Sequence, residues 1–136
     1  MHNDVAGSMA DKGTALDQAV SALIRDLDSS GLLNETLIVL ASEFGRSQAI
    51  NQNAGRDHHP AAFSYVLAGA GIKGGAVYGK SDEKGHGIDE DPVGITDFNS
   101  TITVACGLDP NKEHFAPNGR PFKIGGGGDP IYDVLT

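Results

Sequence analysis

Apolar positions in the stretch TALDQAVSALIRDLDSSG recur at helical spacing, with Leu16, Ala19, Val20, Leu23, Ile24 and Leu27 on one face. Thr14 or Gly13 is placed to begin this helix, and Gly31 to end it as the left-handed residue after the cap. Residues 3 to 12 carry a weaker pattern and read as a loop or an irregular lead-in. The period then changes. Thr36 to Ala41 is a nearly unbroken β-prone run, the pattern of a strand buried on both faces, and residues 62 to 69 form a second such run. A short strand is expected around Ala76 to Tyr78. A second helix is expected in TDFNSTITVACG, with Thr96 as N-cap, Phe98, Ile102 and Ala105 on one face, and Gly107 as terminator. The run GGGG near the C-terminus lacks a following Lys-Ser/Thr pair and reads as a flexible turn.

Helix, strand, long loop, strand, helix is the order of an α/β sheet, in which ligands gather beyond the carboxyl ends of strands. The segment EFGRSQAINQNAGRDHHP occupies that place, and a polar loop of such length is uncommon unless it has a function. Its two ends, SEFGR and GRDHH, are therefore where a site is expected.

Composition narrows the classes. The chain has 136 residues, 39% of them hydrophobic, and 19 glycines, which implies much loop. One domain and a sizeable core fit this length. A net charge of −8 with dispersed basic residues argues against nucleic acid and against an anionic membrane surface as partners. The single cysteine, Cys106, excludes an internal disulfide and reads as a small buried side chain of the second helix. No apolar run reaches the length of a membrane span.

The candidate chemistry is a set of metal ligands: His2, Glu43, Asp57, His58 and His59. Mixed imidazole and carboxylate suits zinc, manganese or iron, whereas calcium or magnesium takes mainly oxygen. Zinc or manganese is the expected cation, with calcium as the alternative. Spacing alone equally describes a solvated polar loop. Arg46 and Arg56 bracket the loop as candidate anion-binding forks, or as partners of nearby carboxylates. His86 and His114 read as exposed loop histidines, and Asp82, Glu83, Asp89, Glu90 and Asp91 as a solvated acidic loop or a weak calcium site. No Ser-His-Asp order and no nucleophile elbow is present, so no catalytic residue is assigned.

LNETLIVLASEFGRS, GRDHHPAAFSYVLAGAGIKGGAVYG and FNSTITVACGLDP together resemble the sulfatase-like family known as domain of unknown function fifteen-oh-one, of the alkaline phosphatase superfamily. The resemblance runs from about His2 to the C-terminus and covers only the C-terminal third of typical members. It implies that residues 1–136 are a single incomplete domain, the C-terminal piece of a three-layer α/β/α alkaline-phosphatase-like fold. Met1 then looks like a cut inside a longer protein.

The superfamily uses divalent metals with a Ser, Thr or modified Cys nucleophile to hydrolyse phosphate or sulfate esters. By resemblance His2 is the histidine of a first metal pair, Glu43 stands at the strand-end acid, and His58 is the later histidine. His59 is the less favoured ligand of the two. Phe44 departs from the pattern, standing where a second histidine is expected, so that one metal site loses a ligand or recruits Asp57. The nucleophile would lie upstream, and the chain alone is expected to be inactive. A small phosphate or sulfate ester is the implied partner, and an exported or periplasmic bacterial location is implied too. The alternative is a binding or cell-surface protein that keeps the fold without the chemistry. Self-association through an unpaired sheet edge is also expected.

Overall fold

A computed structural model describes residues 1–136. The first helix, α1, spans Val5–Ser29, nine residues earlier than the expected start at Thr14. Asp4 caps it, its Oδ1 accepting from the Gly7 amide at 3.2 Å. Val5 and Met9 extend the apolar stripe of Leu16 backwards, so the lead-in joins the helix although Gly7 and Gly13 are poor helix formers. Gly31, at φ 76°, ends it in the left-handed conformation as expected.

After a 3-10 turn at Leu32–Glu35, strand β1 (Leu37–Leu40) leads to β2 (Gly45–Arg46), β3 (His58–His59) and β4 (Val66–Gly69). β1 pairs antiparallel with β4, Leu37 opposite Gly69 and Leu40 opposite Val66. The expected burial on both faces is not realised: Val39, Leu40 and Val66 are exposed, because a two-stranded ribbon has two open edges and no second layer across it. Gly69, at φ 93°, is required where it stands, since a β-carbon there would meet the Thr36 carbonyl oxygen at 2.0 Å.

The expected strand at residues 76 to 78 is irregular, with Val77 almost wholly exposed. Pairing starts later, between β5 (Lys80–Ser81) and β6 (Ile88–Glu90), where the Lys80 ammonium reaches Glu90 at 2.6 Å. Helix α2 (Ile95–Ala105) is capped at Gly94 rather than Thr96, with the Asp97 carboxylate accepting from the Gly94 amide at 3.0 Å. Gly107, at φ 74°, follows its end as expected. A last ribbon pairs β7 (Glu113–Phe115) with β8 (Pro121–Lys123), and a 3-10 turn closes the chain at Tyr132–Val134.

The buried centre is small and lies on α2. Phe98 is the one large hydrophobic residue that is buried, stacked on Tyr65 at 4.1 Å ahead of β4. Ser100, Thr101 and Thr103 are buried with it rather than Ile102 and Ala105. Their hydroxyls are satisfied locally: Thr101 and Thr103 donate to carbonyls one turn back, at 2.7 Å each. Ser100 Oγ lies 3.1 Å from the Gly125 carbonyl and 2.8 Å from that of Gly128. The four glycines form a turn, as expected, and it is clasped onto α2: a β-carbon on Gly128 would come to 2.2 Å of the Thr96 carbonyl carbon.

Two further expectations are corrected. Cys106 is exposed, since it follows the last turn of α2 instead of facing the core. His114 sits in β7, half-buried beside the Phe122 ring, with its Nε2 buried and unpartnered.

The architecture is mixed α/β, two helices and four antiparallel strand pairs. The sizeable core that the length allows is absent. Accessible surface is 9104 Å² for 14.1 kDa, against about 6,700 Å² for a compact monomer of that mass. No helix is long and apolar enough to cross a membrane.

Candidate functional site

β2 and β3 bring the two ends of the long loop into register, Gly45 opposite His59 and Arg46 opposite His58. Between them residues 47 to 57 fold back on themselves: the Ser47 amide donates to the Asp57 carbonyl at 2.9 Å, and the Asp57 amide to Ser47 Oγ at 3.2 Å. The N-terminal segment lies against this loop as an added strand-like stretch. Arg56 N donates to the Met1 carbonyl at 2.9 Å, Asp4 N to Asn53 at 3.0 Å and Val5 N to Ala54 at 2.8 Å. His2 and GRDHH, far apart in sequence, therefore become neighbours.

Three of the five candidate ligands meet. His2 Nδ1 is 3.0 Å from Asp57 Oδ1, and His2 Nε2 is 3.0 Å from His58 Nε2. A carboxylate only accepts, so His2 Nδ1 donates to Asp57, and whenever the ring is neutral its Nε2 is the bare nitrogen that faces His58. Arg46 Nη1 approaches the same Nε2 at 3.4 Å and the Arg56 carbonyl at 3.4 Å. The hydrogen bond from His2, followed by that from Asn51, holds the Asp57 carboxyl below the ordinary carboxylate range.

The other two candidates lie outside. His59 follows His58 in β3, and successive strand residues face opposite sides. Its Nε2 donates instead to the His86 carbonyl at 3.0 Å. Glu43 is exposed and receives only the hydroxyl of its neighbour Ser42, at 3.5 Å. Phe44 stacks on the His58 ring at 3.8 Å, with the Arg46 guanidinium 5.6 Å from the Phe44 centroid. Neither Arg46 nor Arg56 pairs with a carboxylate. Arg46 reaches the cluster with its side chain, whereas Arg56 contributes its backbone.

No three His, Cys, Asp or Glu side chains converge on one point. What the residues offer is a pair of imidazole nitrogens. Two such ligands, each about 2.0–2.1 Å from a tetrahedral zinc, stand about 3.3 Å apart, close to the His2–His58 separation. Imidazole nitrogens are donors that zinc takes in preference to calcium, but two of them in hydrogen-bond contact do not make a metal site. The remaining donors are not gathered by this arrangement.

Several site residues had no clear signal in the sequence. Asn51 joins the N-terminal segment to the loop, its Nδ2 donating to the His2 carbonyl at 3.1 Å and to Asp57 Oδ1 at 2.9 Å. Its position ahead of Asn53 and Gly55 is the one hint, an Asx turn leading into glycine. The acidic loop is also organised: Asp82 accepts from the amides of Lys84, His86 and Gly87, and the loop docks on the site through Gln48 and His59.

Fold and site thus define a mixed α/β chain whose long loop carries an imidazole–carboxylate–guanidinium cluster. Residues 1–135 match the family described as protein of unknown function (DUF1501), and the chain belongs to that family. None of the curated proteins and none of the solved structures matches it.

Proposed function

We propose that this chain is the C-terminal part of a longer sulfatase-like protein of the alkaline phosphatase superfamily, a metal-dependent hydrolase of phosphate or sulfate esters. The observation that carries the reading is the His2–His58 pair, 3.0 Å apart with the Arg46 guanidinium beside it. The scant core supports incompleteness: a chain with Phe98 as its one large buried hydrophobic residue needs further layers against it, as a three-layer α/β/α body supplies.

In this reading His2 and His58 hold the cation by their Nε2 atoms, and Glu43 is available at the end of β1 as an oxygen donor. When bound, a divalent cation supplies Lewis-acid stabilisation of ester oxygens. Arg46, which has no carboxylate partner, donates to the anionic oxygens of the ester and orients it. The ring of Phe44, stacked on His58 at 3.8 Å, helps fix the plane of that imidazole. The attacking hydroxyl or thiol comes from another segment.

Elemental analysis of the full polypeptide and of a His58→Ala variant, paired with hydrolysis of aryl phosphates and aryl sulfates, tests this. Near-stoichiometric zinc or manganese, lost in the variant together with hydrolysis, is expected. Absence of both metal and hydrolysis in the intact polypeptide overturns it. Phe44 favours a second reading, a binding protein that keeps the fold without the chemistry, because an apolar ring stands where the family resemblance implies a histidine ligand. Stoichiometric metal and ester binding with no turnover is the result that reading expects.

A further inference from the structure

We infer that Asp57, held by Asn51, is a positioning residue: it fixes His2 in the Nδ1–H form and keeps the His2 Nε2 lone pair turned toward His58. Asp57 Oδ1 accepts from both His2 Nδ1, at 3.0 Å, and Asn51 Nδ2, at 2.9 Å. The carboxylate thus lies on the nitrogen remote from His58, where an outer-shell partner stands rather than a ligand. Everything that holds it is held in turn. Its backbone is tied to Ser47 on both sides. The Asn51 amide is saturated, its Oδ1 accepting from the amides of Asn53 at 2.9 Å and Gly55 at 3.0 Å while its Nδ2 serves His2 and Asp57. One asparagine therefore sets both the place of the His2 backbone and the place of the oxygen that selects its tautomer.

The consequence is chemical as well as structural. Without a carboxylate at Nδ1 the imidazole proton is free to occupy Nε2, and a protonated Nε2 offers no lone pair to a cation or to an Arg46 donor. Only the effect on metal binding rests on the proposed function; the tautomer is a property of the metal-free chain.

The test uses the full polypeptide with 15N-labelled histidine, metal-free at a pH where imidazole is neutral, the His2 signals assigned with His2→Gln. The wild type is expected to show His2 as Nδ1–H, and Asp57→Ala to move the proton in part to Nε2. Asn51→Ala shifts it in the same direction. His59, whose Nε2 donates to the His86 carbonyl, stays Nε2–H throughout and reports an intact loop. If Asp57→Ala disturbs His59 as well, Asp57→Leu, of similar size and with no acceptor, is read in its place. Zinc affinity is expected to fall about 10–100-fold in Asp57→Ala. An unchanged His2 tautomer in the variants overturns the inference. A shifted tautomer in a polypeptide that never binds zinc upholds it and counts against the proposed function instead.

Discussion

Gly55 is buried against the backbone of His2: a β-carbon at Gly55 would lie 2.0 Å from the His2 carbonyl oxygen and 2.1 Å from its carbon. The contact needs a residue without a side chain because the N-terminal segment and the loop pass at backbone distance. His2 reaches Asp57 and His58 only through this approach.

Gly55→Ala is accordingly expected to push the N-terminal segment off the loop. Overpacking of this kind costs about 1–3 kcal/mol. Thermal unfolding should report that loss, and the His2 ring signals should become those of a free histidine. A variant with unchanged stability and an unchanged His2 environment would show that the segment is held elsewhere.

How far the sequence foretold this arrangement depends on the range of the signal. The stripe from Leu16 to Leu27 was strong enough to place a helix, whereas Val5 and Met9 carried the same stripe through glycines that weaken it. The alternation that separates His58 from His59 is a property of any strand, yet β3 is two residues long and has no periodicity of its own. His2 and Asp57 are both candidate ligands by residue type, but their contact depends on Asn51 and Gly55, ordinary loop residues whose roles appear only once two remote backbones lie side by side. The expectation of buried strands failed for a different reason. Residues 37 to 40 have the composition of a covered strand, yet Leu37 and Ile38 are only partly covered and Val39 and Leu40 are exposed.

The Asp82 loop makes a pH prediction. The amide of His86, first, and those of Lys84 and Gly87 hold its carboxyl below the ordinary value of 3.8. As pH falls past 3.8 the unfolded chain takes up the proton before the folded one does. The loop's contribution is therefore fully present above that value and lost as pH drops through the lower, folded pKa. The amide proton shifts of Lys84, His86 and Gly87, followed by NMR from neutral to strongly acidic pH, are expected to titrate together with a midpoint below 3.8. A midpoint above it would reverse the sign. Asp82→Asn should abolish the titration and loosen His59 from the loop.

The clasp of the glycine turn on α2 predicts an unequal pair of substitutions. Thr101→Val keeps the shape of the side chain but strands the Ile131 amide, which donates to Thr101 Oγ1 at 2.9 Å. A buried donor left unsatisfied costs about 1–3 kcal/mol. Thr103→Val removes a hydroxyl bonded only to the Asn99 carbonyl of its own helix, a group the helix can satisfy without it. Denaturant unfolding should therefore find Thr101→Val clearly less stable and Thr103→Val close to wild type. Equal effects would mean that the clasp contributes nothing.

Met9, Leu16 and Leu23 stand seven residues apart on α1, interleaved with Val20 and Leu27, the spacing of a seam that packs against another helix. All three are about half exposed, and α1 packs chiefly on the 3-10 turn that follows it. The accessible surface exceeds that of a compact monomer by roughly 2,000 Å² or more, beyond the roughly 1,600 Å² that a stable interface buries in total. In the isolated 136-residue chain a second copy is the partner at hand, so its mass by light scattering is expected to rise with concentration. Leu16→Glu together with Leu23→Glu should return it toward the monomer without disturbing His2 and His58, which lie beyond the other end of the helix. A chain that stays monomeric at every concentration would show that this surface tolerates water, and would remove the argument that the missing core lies in a partner.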